Sequence, residues 1–155
     1  LSWMDRDLIV MASSLHDIGK IGIDEAILNK PGRLTAEEFE SMKAHTTIGA
    51  DMLRNLPRYQ EERILQIAIE ICRWHHERYD GKGYPDGLVG DEIPISAQLV
   101  SIADVYDALT SERVYKKAFS HEKAMQMIRE GECGAFNPLL LSCLEEIADE
   151  LQAEM

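Results

Sequence analysis

Six residues in this sequence have the types and spacing to hold divalent metal. They are the adjacent pair His16-Asp17, His45, the adjacent pair His75-His76, and Asp104. Imidazole nitrogen and carboxylate oxygen without thiolate suit Fe, Mn or another first-row ion and do not choose among them. Neighbouring positions on a helix diverge by about 100°. One member of each pair can therefore face one ion while the other serves a second, and the Asp17 carboxylate can bridge. Two metals about 3.5–4 Å apart can activate a bridging hydroxide and neutralise the oxygens of a phosphodiester during in-line attack. Any one of these histidines alone reads better as a hydrogen-bonded core residue. Their joint occurrence points to metal.

Helices must turn these side chains inward. A first helix is expected over Met4 to His16, with Leu8, Met11, Ala12 and Leu15 on one face, and Gly19 and Gly22 end it. His16 extends its Ile9, Ala12 line. Pro31-Gly32 is a turn, and Thr35 to Glu38 has the T-x-x-E pattern of a capping box. A helix over Thr47 to Leu56 stops at Pro57, and the longest helix is expected from Arg58 to Glu77. There His75 continues the Ile64, Ala68, Ile71 stripe, and His76 follows Leu65, Ile69 and Cys72. Asp104 follows Ala97 and Val100 on a face of small apolar side chains, where a lone carboxylate would cost several kcal/mol without a partner. Further helices are expected at Ile95 to Leu109, Ser120 to Glu130, and Asn137 to about Gln152, the last opened by an Asn-Pro cap. Arg78 to Pro94, with Gly81, Gly83, Gly87 and Gly90, reads as a long shaped loop. No segment alternates with period two. The fold class is all-α.

At 155 residues and 45% apolar composition the chain fits one domain with one core. A net charge of −12 repels nucleic acid and anionic lipid, and no apolar run approaches the roughly 18 residues of a membrane span. Cys72, Cys133 and Cys143 are odd in number and form no C-x-x-C pair, which argues against a disulfide framework and for the cytoplasm. Cys72 reads as a packed core thiol and His121 as a surface residue. Asp24, Glu25, Glu37 and Glu38 read as solvated or capping. Gly81-Lys82-Gly83 has no preceding strand and a misplaced third glycine, so it is no dinucleotide fingerprint. The chain opens on Leu1, which suggests a fragment of something longer.

These residues resemble the HD-GYP family. His16-Asp17-Ile18-Gly19-Lys20 is similar to its HD-x-G-K signature, and His75 to Pro85 to its HHE-x-x-DG-x-GYP signature. Leu28 to Leu34 resembles K-P-G-x-L, and Lys43-Ala44-His45 resembles K-x-H. Ala103 to Ser111 with Arg113 and Tyr115-Lys116-Lys117 also fits. The resemblance implies a helical HD-domain bundle with an irregular Gly-rich GYP loop. It implies hydrolysis of cyclic di-GMP to linear pGpG and/or GMP by metal-activated hydroxide, in bacterial second-messenger signalling. Its metal ligands would be His16, Asp17, His45, His75, His76 and Asp104, holding two or three divalent ions, with Asp17 bridging. Lys20 would contact the scissile phosphate, while Arg113 and Lys116 would hold substrate phosphates. Gly81, Gly83, Tyr84 and Pro85 would shape the pocket and contact GGDEF-type cyclases. Family members carry a further helix before the HD pair that donates a His ligand. This chain starts too close to His16 to contain it, so residues 1–155 are expected to be an N-terminally truncated HD-GYP domain behind a receiver or sensory domain.

Two other readings stay open. One is a catalytically inactive module that binds the messenger or a GGDEF-type cyclase. The other is a phosphohydrolase for a different cyclic dinucleotide, since guanine preference rests on family analogy.

Overall fold

The computed structural model describes residues 1–112 and 117–153. Arg113 and Lys116 therefore lie outside the described residues. Among these residues the chain is all-α: α1 Trp3–Ser13, α2 Glu25–Leu28, α3 Ala36–Lys43, α4 His45–Arg54, α5 Arg63–Trp74, α6 Ile95–Thr110, α7 His121–Arg129, α8 Pro138–Glu146 and α9 Ala148–Ala153. The only pairing of extended backbone among them is an isolated bridge between Asp80 and Val89. No described helix is long and apolar enough to cross a membrane.

Local chemistry sets the helix starts. Ser2 and Asp5 form a capping box on α1, and Thr35 and Glu38 form one on α3. The Glu38 carboxylate also accepts from Lys30 Nζ at 2.6 Å, so the Lys30-Pro31-Gly32 turn is tied to the start of α3. Asp24 caps α2, as its capping assignment anticipates. Asn137 accepts from the Leu139 amide and places Pro138 in the first turn of α8.

Helix ends depart from the sequence reading. The expected first helix to His16 stops at Ser13, and a 3-10 turn over Ile18–Gly22 takes the chain onward. The expected longest helix, Arg58 to Glu77, is instead a 3-10 turn at Pro57–Tyr59 followed by α5, which ends at Trp74. In both places a histidine side chain bonds a carbonyl of the helix's last turn and closes it. The longest helix is α6, with 16 residues. α4 begins at His45, two residues before expectation. The segment from Asn137 to Gln152 is broken at Ile147 into α8 and α9.

α5 is the central element, packed against α1, α4 and α6. Ile67, Ala68, Ile71 and Cys72 join Ala12, Ala50, Leu53 and Val100 in one apolar cluster. A second cluster gathers Ile102, Leu109, Met125, Ile128, Phe136 and Leu140, and Leu99 packs against both. His121 belongs to this second region and not to the surface: it is buried, and its Nδ1 lies 2.8 Å from the Tyr106 hydroxyl. The polar Ser120 cap beside it gave the opposite impression in the sequence.

The 3-10 turn lies against α4 through Gly19. A Cβ at Gly19 would fall 1.9 Å from the His45 carbonyl oxygen, whereas one at Gly22 would meet only the Ile48 side chain, at 3.0 Å. Gly19→Ala is expected to destabilise the protein by about 2–3 kcal/mol and Gly22→Ala by under about 1 kcal/mol, measured by urea unfolding.

Candidate metal centre

Three histidines sit at the C-terminal ends of helices, and each side chain shares a last-turn carbonyl with a backbone amide. His16 follows α1 and its Nδ1 donates to Ser13 O at 2.8 Å. His45 follows α3 and its Nδ1 donates to Met42 O at 2.7 Å. His75 follows α5 and its Nδ1 donates to Ile71 O at 2.8 Å. A carbonyl only accepts, so Nδ1 carries the proton in each ring and Nε2 is left to face forward.

The forward-facing nitrogens converge. Donor atoms of Asp17, His45, His75 and His76 all lie within 4.8 Å of one another. Asp17 Oδ1 is 3.4 Å from His45 Nε2 and 3.9 Å from His75 Nε2. Its other oxygen is 3.4 Å from His16 Nε2, which in turn is 3.7 Å from Asp104 Oδ1. The structure thus brings all six residues singled out in the sequence into one group, with Asp17 in the middle. Lys20 joins them, its Nζ donating to Asp17 Oδ2 at 2.5 Å.

Buried polar atoms are normally satisfied, and leaving one unmade costs about 1–3 kcal/mol. Here two such atoms, His45 Nε2 and His75 Nε2, are buried without a hydrogen-bond partner. Both are lone pairs aimed at a carboxylate, which cannot donate to them. A divalent cation satisfies both at once, so the donor set fits a metal. Burial reinforces this by holding the rings neutral: it pulls His75 down to about 4 and His76 to about 2, and lowers His45. His16 goes the other way, raised to about 10 by Asp104 and Asp17. Burial works to raise the Asp17 and Asp104 carboxyls. For Asp17 the neighbouring His16 and Lys20 outweigh it; for Asp104 His16 leads the opposing histidines, and both stay below the usual carboxylate range. Cys72 is no donor: burial pushes its thiol up to about 12, and Sγ donates to Leu15 O at 3.1 Å.

The Gly-rich loop closes over His76. Tyr84 stacks on the His76 ring, with centroids 4.8 Å apart and planes 23° from parallel. Gly83 lies so close to the Glu77-Arg78 backbone that a Cβ would fall 2.3 Å from Arg78 N. Gly83 and Tyr84 line an open cleft beside His76. Gly81, at φ 78°, faces Val89 within the loop, and Pro85 follows a cis bond to Tyr84.

Sequence reasoning gave Glu77 no role. It is 2% exposed, and its carboxylate accepts from the amides of Asp86, Gly87 and Leu88 at 2.7, 3.1 and 3.0 Å. Bonds to a charged acceptor contribute about 1.5–3 kcal/mol each, so Glu77 is the clamp of the loop. Its position directly after two inward histidines was the available signal.

Residues 1–138 match the HD domain family. The chain belongs to that family. The chain is 46% identical over 148 residues, 95% of its length, to a cyclic di-GMP phosphodiesterase of Vibrio cholerae, and covers 30% of that protein. It is 46% identical over 92% of its length to a cyclic di-GMP phosphodiesterase of Thermotoga maritima, covering 38% of it. A 3'3'-cGAMP-specific phosphodiesterase 2 of Vibrio cholerae is 41% identical over 99% of the chain, which covers 28% of it. The chain thus spans about a third of the length of these relatives. The HD-GYP resemblance of the signature runs agrees with these matches.

The ionisation pattern predicts a stability maximum for the metal-free protein. His75 and His76 bind protons less readily folded than at the ordinary 6.5, so unfolding takes up protons and stability falls as pH drops below about 6.5. His16 is raised to about 10, so its contribution is complete below 6.5 and drains as pH rises towards 10. Urea midpoints of chelator-treated protein should therefore peak near about pH 6.5, and His16→Gln should flatten the alkaline decline.

Proposed function

We propose that this HD domain is the catalytic core of a cyclic di-GMP phosphodiesterase that hydrolyses the messenger to linear pGpG and/or GMP. The observation that carries the reading is the pair of buried, unpartnered nitrogens, His45 Nε2 and His75 Nε2, facing Asp17. The residues that would hold the metal are His16, Asp17, His45, His75, His76 and Asp104, grouped around the Asp17 carboxylate. Two or three divalent ions, Fe or Mn, match a nitrogen and oxygen donor set of this size. Bound there, the cations supply Lewis-acid charge to the phosphoryl oxygens and lower the pKa of water.

The chain's own residues do the rest. The carbonyl-tethered imidazoles fix the donor directions before substrate arrives. Lys20, half-exposed beside Asp17, offers a fixed ammonium to a non-bridging oxygen of the scissile phosphate, where negative charge grows as water attacks phosphorus and the bond to the leaving sugar oxygen breaks. Arg113 and Lys116 hold the substrate's phosphates in this reading, and Gly81, Gly83, Tyr84 and Pro85 shape the pocket wall. Residues 1–155 form one HD-GYP domain that works behind an upstream receiver or sensory domain, with GGDEF-type cyclases as partners of the loop. The compartment is the cytoplasm, in keeping with three cysteines that form no disulfide among the described residues.

A relative named for 3'3'-cGAMP at 41% identity keeps a second substrate in view. Full-length protein loaded with Mn or Fe under anaerobic reducing conditions should hydrolyse cyclic di-GMP faster than 3'3'-cGAMP or cyclic di-AMP. A faster rate on 3'3'-cGAMP would reassign the substrate, and intact substrate throughout would end the hydrolase reading. Asp17→Asn should lower turnover by about 10³-fold or more with loss of bound metal. Lys20→Ala should lower kcat by about 10²-fold while metal content stays constant. Loss of metal in the Lys20 variant would contradict its assigned contact with phosphate.

A further inference from the structure

The cleft beside His76 carries a charge pattern that the hydrolytic steps leave unused. It holds about 490 Å³, within the range of about 300–1,000 Å³ usual for small-ligand sites. Lys43, Arg78 and Lys82 line it, and Asp80 is the single acid on its described wall. In a chain of net charge −12, a cationic hollow next to the candidate metal group is the exception.

Two of its cations lack strong competitors. The Arg78 guanidinium donates to Ser101 Oγ at 2.8 Å and to the carbonyls of Glu77 and Cys133 at 3.0 and 3.1 Å. All of these are neutral oxygens, and no carboxylate pairs with Arg78 among the described residues. A half-buried charge without a counter-ion is a standing site for an anion. Lys43 Nζ bonds only the exposed Glu40, a surface pair of small worth, and stands 5.0 Å above the Phe39 ring and 5.4 Å above Tyr84.

The aromatic part of the wall is equally specific. Tyr84 has its inner face on His76 and meets Phe39 edge to face, centroids 6.1 Å apart. Phe39 is 44% exposed, so ring surface remains open between the cations. An open aromatic face beside fixed positive charge suits a nucleobase and its phosphate.

We infer that this cleft seats the half of the cyclic dinucleotide that is not being cut, its base on Phe39 and its phosphate against Arg78 and Lys43. The inference rests on the hydrolase reading and extends it to residues outside the metal group. It also gives Lys43, the first residue of the K-x-H segment, a function: α3 carries it to the cleft mouth while the next turn carries His45 inward.

The test uses full-length protein, with cyclic di-GMP and bis(p-nitrophenyl) phosphate, a diester without base or second phosphate, as paired substrates. In Phe39→Ala and Lys43→Gln the ratio of kcat/KM for cyclic di-GMP to that for the small diester should fall about tenfold, chiefly through KM. Calorimetric affinity of chelator-treated protein for cyclic di-GMP should fall by a similar factor. A ratio and an affinity that both stay within about twofold of wild type overturn the subsite while hydrolysis stands. Wild-type protein that cuts neither substrate, yet binds the dinucleotide through Phe39 and Lys43, sinks the hydrolase reading and keeps the subsite.

Discussion

At the ends of three helices of this domain a last-turn carbonyl accepts twice, once from a backbone amide and once from an imidazole. Ser13 O, Met42 O and Ile71 O receive Nδ1 of His16, His45 and His75. That bond closes the helix, fixes the tautomer and sets the ring direction in one step. Everything at the centre follows from it. The helices pack by their apolar faces around α5, and because their ends come together, three Nε2 atoms come together too. Asp17, held outside α1 at the start of the 3-10 turn, supplies the carboxylate between them.

The outer parts of the site depend on a second anchoring device. Glu77 lies directly behind the histidine pair and grips three consecutive amides of the Gly-rich loop. The loop then returns Tyr84 onto His76, whose ring is stacked where those of His16, His45 and His75 are tethered to carbonyls. Buried carboxylate, buried imidazoles and a shaped loop are thus neighbours in sequence because each is positioned by the end of α5. The acidic composition of the chain is spread over its surface, while this end of the molecule gathers Lys20, Lys43, Arg78 and Lys82.

The all-α class was legible from periodicity, and the six-residue cluster from residue types and the signature runs. The means of clustering was not. On a helical wheel His75 and His76 extend the apolar stripe of α5, and His16 extends that of α1, which suggests rings projecting from continuous helices. In the structure the helices stop first, at Trp74 and Ser13. Periodicity sees apolar spacing and cannot see a side chain bonding a last-turn carbonyl beside the backbone. His121 shows the same blindness in reverse: a polar cap precedes it, yet Tyr106 and the second apolar cluster enclose it. The role of Glu77 was harder to read, since its three partners are backbone amides and only its place behind the histidine pair marked it.

The account stands on Nε2 of His45 and His75 as metal donors with Asp17 between them. Anomalous X-ray scattering from crystals of the full-length protein grown with Mn²⁺ tests this directly. Peaks bounded by the Asp17 carboxylate and both Nε2 atoms, with each Nδ1 still on its helix carbonyl, are the predicted result. Density for the ion elsewhere, or rings turned so that Nδ1 coordinates, would contradict it.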